Sequence, residues 1–260
     1  EIPGARDVGR TTQTEHRERS RMNHAAFFDV DGTLTEKPSL ERRYFRALRH
    51  EGKITLRNGL AWLAEFARLA PNGLACALQG NKAYLRGIRS TGLRANRAGD
   101  DALFFPEAME RIARHAATGE RIVLVTGTLE FLAEEIAARL RGELAKRNLA
   151  AEIHVCATRL EEKCGRWTGR VLGRPMFGEA KAIAVWWYAE KWKLNLAECS
   201  AYGDGAMDEW MLASVGMPAA VNPDAGLRKA AERRRWEILR WEHAARPKTK
   251  LPKMVPERAR

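Results

Sequence analysis

The sequence predicts an α/β fold built on a parallel sheet, and three observations lead to this prediction. Short apolar runs that are typical of buried strands recur along the chain, most clearly at residues 25–30 and 121–126. Segments in which apolar residues have helical spacing lie between them. Each of these runs leads into a turn that carries a carboxylate or a hydroxyl group. Because open α/β sheets bind ligands at the carboxyl ends of their strands, these turns are expected to form one site.

The string FFDVDGTLT at residues 27–35 is the most informative part of the chain. Side chains alternate between the faces of a strand, so Asp29 and Asp31 are expected to project together from the end of the first strand. Two neighbouring carboxylates repel each other and raise one pKa, and a divalent cation with oxygen ligands relieves this repulsion. An isolated pair of this kind is more often an ordinary turn that closes a strand. The complete string is much rarer by chance and favours a functional site.

The segment from residue 37 to 105 reads as a series of short helices without an evident strand. Its apolar residues recur at helical spacing, and the breakers Pro71, Gly73, Gly80 and Gly92 divide it. A helical insertion directly after the first strand is expected to lie over the site like a lid.

The second clear strand, residues 121–126, ends at a candidate phosphate site. Thr126 and Gly127 follow the apolar run, and a helix is predicted from about residue 129 to 140. A hydroxyl group next to the N-terminus of a helix supplies donors and a favourable dipole for a phosphate. An ordinary capped helix start has the same pattern, so this signal is weak by itself.

Lys181 is unusual for its position in the chain. A strand is predicted at residues 152–157 and a β-hairpin at 158–177, followed by a helix at about 179–193 with Lys181 in its first turn. A lysine near a helix N-terminus opposes the helix dipole, which is reasonable if its side chain faces anions. The alternative is a solvated surface lysine. The tryptophans of this helix are expected to be core or lid contacts.

Asp204 lies at the tip of another predicted strand, residues 200–202, and is flanked by glycines that allow close approach of a ligand. Asp208 begins the next helix, where a carboxylate is favourable. A last short strand is predicted at 218–221 and a last clear helix at 224–234.

Composition sets wider limits. A chain of 260 residues can form one or two domains, and it has no apolar run of the roughly 20 residues that a membrane span needs. No apolar secretory signal is evident at its start. The four cysteines lack CxxC spacing, which indicates neither a zinc site nor a disulfide framework. A reducing cytoplasm is therefore the expected location.

The net charge of +12 raises the question of nucleic-acid or anionic-membrane binding. Residues 226–260 contain twelve Lys and Arg against four Glu, so about two thirds of the excess charge lies there. A solvated terminal element with a disordered basic tail explains this better than a nucleic-acid site, and no nucleic-acid partner is expected. Weak contact of this segment with anionic membranes is kept as an alternative.

Four motifs together resemble the haloacid dehalogenase-like superfamily, and within it the phosphoserine-phosphatase-type branch, subfamily IB. They occur in the family's order over roughly residues 25–225. The motifs are DVDGTL from Asp29, VTGT around Thr126, GEAK ending at Lys181, and GDGAMDEWML around Asp204.

The resemblance implies a Rossmann-like three-layer sheet with a small helical cap inserted after the first strand. The catalytic core would comprise residues 24–36 and 106–243, and the cap residues 37–105. Residues 1–23 would be a flexible leader and residues 244–260 a basic tail.

The resemblance also implies how the reaction is divided among the side chains. Asp29 would attack phosphorus and form an aspartyl-phosphate. Asp31 would protonate the leaving oxygen and then activate the hydrolytic water. Thr126, Gly127 and Lys181 would bind the phosphoryl oxygens. In a loose phosphoryl transition state, such positioning and charge stabilisation are most of what catalysis requires.

The implied cofactor is Mg²⁺. The resemblance places it on Asp29, the backbone carbonyl of Asp31 and Asp204. Asp208 would lie behind these ligands without binding the metal itself.

Two positions depart from the phosphoserine enzymes. Met207 stands where they usually have Asn, and Pro38 stands where they usually have a Glu that meets the substrate amine, with Glu36 only nearby. Both differences argue against L-phosphoserine as the substrate.

The sequence therefore predicts a Mg²⁺-dependent phosphatase that acts on a phosphorylated small molecule. One alternative is a phosphate-binding or regulatory module with little turnover, which Met207 and the basic, aromatic C-terminal segment favour. Another is a membrane-associated lipid-phosphate phosphatase. The sequence leaves the individual substrate and the oligomeric state open.

Overall fold

The computed structural model describes residues 23–90 and 103–243. The predicted basic tail, nearly all of the predicted leader and residues 91–102 of the predicted cap lie outside the described residues. The expectations for the leader and the tail therefore stay predictions.

A seven-stranded sheet forms the centre of the described part of the chain, with the order β4-β3-β2-β1-β5-β6-β7. Neighbouring strands are parallel except for β3 and β4, which form an antiparallel hairpin. The predicted Rossmann-like α/β fold is confirmed. The strands are β1 (Ala25–Phe28), β2 (Arg121–Leu129), β3 (Ile153–Lys163), β4 (Arg166–Leu172), β5 (Ser200–Gly203), β6 (Met217–Val221) and β7 (Glu237–Leu239).

Helices lie on both faces of this sheet and in the insertion after β1. Short 3-10 turns at Ala70–Asn72, Ala83–Leu85, Leu196–Glu198 and Ala206–Asp208 connect some of them. The helices are α1 (Leu40–His50), α2 (Leu56–Leu69), α3 (Leu74–Gln79), α4 (Pro106–Ala117), α5 (Glu130–Lys146), α6 (Glu179–Trp192), α7 (Glu209–Leu212) and α8 (Ala225–Arg234).

The central strand β1 has no solvent-facing side. Ala26 and Phe28 belong to an apolar cluster with α1, α4 and α5, whereas Ala25 and Phe27 belong to a second cluster with α6, α7 and α8. All four residues are fully buried. Burial on both faces explains why the strand is a continuous apolar run and not an alternating one.

Several predicted boundaries are wrong. β1 ends at Phe28, so Asp29 lies just beyond the strand, although its N–H still donates to the Tyr202 carbonyl of β5 at 2.9 Å. β2 continues to Leu129 through the predicted turn, and α5, which was predicted to end at about residue 140, continues to Lys146. β3 joins the predicted strand at 152–157 and the first arm of the predicted hairpin into one strand, and the short strand β7 was not predicted.

The tryptophans of α6 do not all lie where they were expected. Trp186 and Trp187 are 54% and 55% exposed. Only Trp192 is partly buried against the second apolar cluster. The expectation of core tryptophans is therefore wrong for the first two.

The insertion after β1, residues 37–105, is called the cap here. It leaves and rejoins the core at one point, where the Glu36 N–H donates to the Leu103 carbonyl and the Phe105 N–H donates to the Leu34 carbonyl, at 2.9 and 3.1 Å. The two ends of the insertion therefore lie side by side, and its boundaries stay a prediction.

The β3–β4 hairpin reaches the cap. The Gly87 N–H donates to the Trp167 carbonyl at 2.8 Å, and the Trp167 N–H donates to the Ile88 carbonyl at 2.9 Å. The hairpin thus attaches the cap to the sheet at a second place.

None of the helices in the described ranges is long and apolar enough to cross a membrane.

Replacement of Ile112, which is fully buried between α4 and the sheet, tests the packing of the core. Ile112→Ala is expected to lower the free energy of unfolding by about 2–5 kcal/mol, because the cavity left behind adds to the lost transfer energy. Urea unfolding measures the change. The control is Ile183→Ala on α6, a residue 43% exposed, with an expected change of about 0.5 kcal/mol or less. Equal losses for both variants would contradict this packing.

Candidate active site

The predicted site residues come together at the carboxyl edge of the sheet. They line a single cavity of about 430 Å³. Its walls come from the ends of β1, β2 and β5 and from the start of α6. The seven predicted residues that line it are Asp29, Asp31, Thr126, Gly127, Lys181, Asp204 and Asp208.

Lys181 lies at the centre of this group. It is only 2% exposed, and its Nζ donates to Asp29 Oδ1 at 2.6 Å and also to Asp208 Oδ1. Burial alone lowers the pKa of Lys181, but Asp208 and Asp29 raise it above its ordinary value. The alternative of a solvated surface lysine is wrong, and the unusual position in the first turn of α6 is explained by these two carboxylates.

Three buried carboxylates share the cavity with this one buried ammonium group. Oxygens of Asp29, Asp204 and Asp208 lie within 4.8 Å of one another. Burial raises the pKa of Asp29 well above its ordinary value, which Lys181 opposes and Asp208 and Asp204 reinforce. Lys37 reaches the group from the exposed side, with its Nζ 2.8 Å from Asp204 Oδ2. An oxygen-rich, negatively charged site of this kind fits a hard divalent cation.

Asp208 has little capacity left for a metal. Its Oδ2 accepts hydrogen bonds from the backbone N–H groups of Asp204 and Gly205, both at 3.0 Å, while Oδ1 accepts from Lys181. These contacts fix the backbone of Asp204 and Gly205, just after β5, and the ammonium group of Lys181. The arrangement favours Asp29 and Asp204 as the carboxylates that face a cation.

Asp31 stands apart from this cluster. Its Oδ1 accepts a hydrogen bond of 2.8 Å from the Leu40 N–H at the start of α1. Burial raises the pKa of Asp31 from 3.8 to about 6, against the lowering effect of that hydrogen bond. A carboxyl group with a pKa close to neutrality can both donate and accept a proton, which suits a general acid and base.

Thr126 and Thr128, near the end of β2, present hydroxyl groups to the cavity. Thr126 Oγ1 accepts from the Thr128 N–H at 3.2 Å, and the buried Thr128 Oγ1 has no hydrogen-bond partner among the described residues. A Cβ on Gly127 would lie 1.9 Å from the Phe177 ring, so only glycine fits there. The predicted turn at residues 127–128 is in fact an irregular extension of the strand, and the predicted helix begins directly after it, at Glu130.

The structure adds residues that the sequence reasoning did not select. They line the same cavity: Ser39, Glu41, Gln79, Phe177, Ala206 and Asp224, with Lys37 in contact through Asp204. The proximity of Lys37 and Glu41 to the first motif was the only available signal, and charged residues are too common for such proximity to be decisive.

Residues 26–213 match the model of the haloacid dehalogenase-like hydrolase family. The chain belongs to this family. The Phosphoserine phosphatase SerB1 of Mycobacterium tuberculosis is 33% identical over 228 residues, which are 84% of this chain and 70% of that protein. The Inhibition of morphological differentiation protein of Streptomyces azureus is 31% identical over 88% of this chain and 82% of its own length.

Solved structures agree with this assignment. A protein of unknown function from Bordetella pertussis Tohama I is 26% identical, with a TM-score of 0.66 over 84% of this chain and 98% of its own. A phosphoserine phosphatase in apo form has a TM-score of 0.59 at 20% identity, over 84% of this chain and 93% of its own, and supports the fold alone. The predicted membership is confirmed: the chain is a hydrolase of this family and a relative of phosphomonoester phosphatases.

Replacement of Gly32 tests whether the first motif, residues 29–34, must lie close to Asp204, which follows β5. Gly32 has a φ of +92°, and an added Cβ would lie 2.3 Å from Asp204 Oδ2. Gly32→Ala is therefore expected to displace Asp204 and to lower the hydrolysis of p-nitrophenyl phosphate by about 100-fold.

The matched control is Gly52→Ala. Gly52 has a φ of +67° but nothing within 4 Å of an added Cβ, so it shares the backbone strain without the clash. Thermal unfolding should show a loss of stability from backbone strain in both variants, with activity lost only in the first. Equal activities would show that the close approach has no part in the reaction.

Proposed function

We propose that this chain is a Mg²⁺-dependent phosphatase that hydrolyses a phosphomonoester through an aspartyl-phosphate on Asp29. The observation that carries the proposal is the buried Lys181, which contacts Asp29 and Asp208 beside Asp204. A nucleophile, a fixed positive charge and an oxygen-rich cation site thus lie within one small cavity. Phosphoryl transfer requires little else beyond a proton carrier.

Mg²⁺ would be held by Asp29, Asp204 and the backbone carbonyl of Asp31, where it would neutralise charge on the phosphoryl oxygens. The donor set is made of hard oxygen ligands, as this ion requires. Asp208 would not bind the ion itself. It would fix the Asp204 backbone and the Lys181 ammonium group.

In the first step, a carboxylate oxygen of Asp29 attacks phosphorus while the bond to the ester oxygen breaks. Lys181 and the Thr126 hydroxyl bind non-bridging oxygens and hold the phosphorus in line with Asp29. Asp31 gives its proton to the departing alcohol oxygen, so that an alcohol leaves and not an alkoxide. The raised pKa of Asp31 favours the protonated form that this step needs.

In the second step, Asp31 takes a proton from water, and the resulting hydroxide attacks the phosphorus of the aspartyl-phosphate. The bond between phosphorus and the Asp29 oxygen breaks, which releases inorganic phosphate and restores both carboxyl groups. One residue thus serves as acid and then as base.

A module that binds phosphate with little turnover is the second candidate. It is favoured by Met207, whose side chain lines the cavity and provides no hydrogen-bond donor. Tight binding of a phosphate analogue without measurable hydrolysis of any phosphomonoester would favour the phosphate-binding module over the phosphatase.

Removal of the nucleophile tests the proposed chemistry. Asp29→Asn is expected to lower phosphate release from p-nitrophenyl phosphate by at least about 1,000-fold, because an amide cannot form the covalent intermediate. The control is Glu190→Gln on α6, whose side chain is 86% exposed. Full activity of the Asp29 variant would refute the aspartyl-phosphate.

Binding of the ion is tested without turnover. Mg²⁺ at about 100 times its dissociation constant should stabilise the fold by about 2.7 kcal/mol. For a domain of this size, the melting temperature should rise by about 5–10 °C.

Asp204→Asn should abolish most of this shift, whereas NaCl at matched ionic strength should not reproduce it. An equal shift in the variant would show that the ion binds elsewhere.

A further inference from the structure

A second cavity, of about 540 Å³, lies in the cap beside the catalytic cavity. It is called the cap cavity here. The two cavities share four lining residues and are therefore adjacent. The shared residues are Ser39, Glu41, Gln79 and Phe177.

The walls of the cap cavity are mainly apolar. α1 contributes Phe45, α2 contributes Trp62, the loop between them contributes Ile54, and α3 contributes Leu78. Trp62 is half-buried and stacks on Phe66, with ring centroids 5.3 Å apart. Aromatic and aliphatic walls around a space of this size are typical of a small-molecule pocket.

The charges inside this cavity are matched to each other. Lys82 is only 3% exposed, and its Nζ contacts both carboxylate oxygens of Glu41, at 2.6 and 2.8 Å. The Tyr84 hydroxyl donates to the same carboxylate at 2.7 Å. Glu41 is thus already engaged by a cation and a hydroxyl group, and the exposed Arg42 adds positive charge at the cavity wall. Among the described residues that line this cavity, Glu41 is the one carboxylate, so an ammonium group on a ligand would find no uncompensated carboxylate there.

We propose that the leaving group of the substrate carries an uncharged apolar body, an alkyl or aryl group, that lies in the cap cavity. The proposal rests on the proposed phosphatase function and names its substrate class. The phosphate end lies among Asp29, Thr126 and Lys181, and the apolar body extends past Glu41 and Phe177 towards Trp62. A phosphorylated amino acid should bind less tightly, because its ammonium group would be desolvated against apolar walls.

The energetic consequence is a graded preference for chain length. Burial of each methylene group removes apolar surface from water and should tighten binding about fourfold. A six-carbon chain has four more methylene groups than a two-carbon chain and should therefore bind about 250-fold more tightly if it lies fully within the cavity. A cavity that only encloses water would show no such gradient.

Non-hydrolysable phosphonates test the proposal on the full chain with Mg²⁺. Isothermal titration calorimetry compares ethylphosphonate, butylphosphonate, hexylphosphonate and 2-amino-4-phosphonobutyrate, which mimics phosphoserine. Affinity should rise by about fourfold per methylene along the alkyl series. The amino-acid analogue should bind no more tightly than ethylphosphonate. A flat alkyl series, or tightest binding of the amino-acid analogue, would overturn the proposal.

Gly59 on α2 offers a variant that fills the cavity. It lines the cap cavity, and an added Cβ there meets nothing within 4 Å. Gly59→Phe should remove most of the advantage of hexylphosphonate, a loss of roughly 30-fold or more, and leave ethylphosphonate binding unchanged. Replacement of a helical glycine also favours the helix, so folding is not at risk.

Gly59→Ala is the matched control, and it should bind all four phosphonates like the parent chain. If Gly59→Phe keeps the full advantage of hexylphosphonate, the chain lies elsewhere and the proposal is wrong.

Failure of the proposed function gives a different result. If ethyl and hexyl phosphate both fail to release phosphate, the phosphatase reaction is refuted, while the phosphonate gradient still decides what the cap cavity binds. If both are hydrolysed with equal kcat/KM and the phosphonates show no gradient, the reaction stands and the apolar leaving group is refuted.

Discussion

The structure of the site depends on the buried ammonium group of Lys181 and its two carboxylate partners. Lys181 lies on α6, Asp29 at the end of β1 and Asp208 after β5, so one side chain joins three separate parts of the chain. Buried charges are costly unless they are paired, and removal of either partner leaves an uncompensated charge. The sheet brings these ends together, and the ion pairs then fix their distances. The Lys181 ammonium group orients the Asp29 carboxylate and opposes the rise in its pKa that burial causes.

The fold and the members of the site could be predicted from sequence because both have local signals. Parallel strands that are buried on both faces are apolar runs, and a carboxylate or hydroxyl group at the end of such a run is easily noticed. The carboxyl ends of parallel strands meet at one edge of the sheet, and this rule alone placed Asp29, Thr126 and Asp204 in the same site. Lys181 was recognised by its unfavourable position in a helix, for which the structure provides the reason.

Other features depend on contacts between distant residues and have no local signal. β2 extends past Thr126 because Leu129 pairs with Thr158 of β3, and β7 is a three-residue strand defined only by its pairing with β6. The Glu41–Lys82 pair joins residues 41 positions apart, so the pairing of charges in the cap cavity could not be read from composition. Residue type alone predicts core or lid contacts for Trp186 and Trp187, whereas α6 leaves both more than half exposed.

The junction between cap and core has a consequence for how the protein unfolds. Side chains of the cap, among them Leu40, Tyr44 and Leu85, belong to the same apolar cluster as Phe28 and Leu124 of the sheet. The cap thus shares its buried interior with the sheet and does not close around a nucleus of its own. Because one continuous interior is lost as a unit, the two parts are expected to melt in a single cooperative transition. An excised cap would expose this shared surface to water and would have little reason to stay folded.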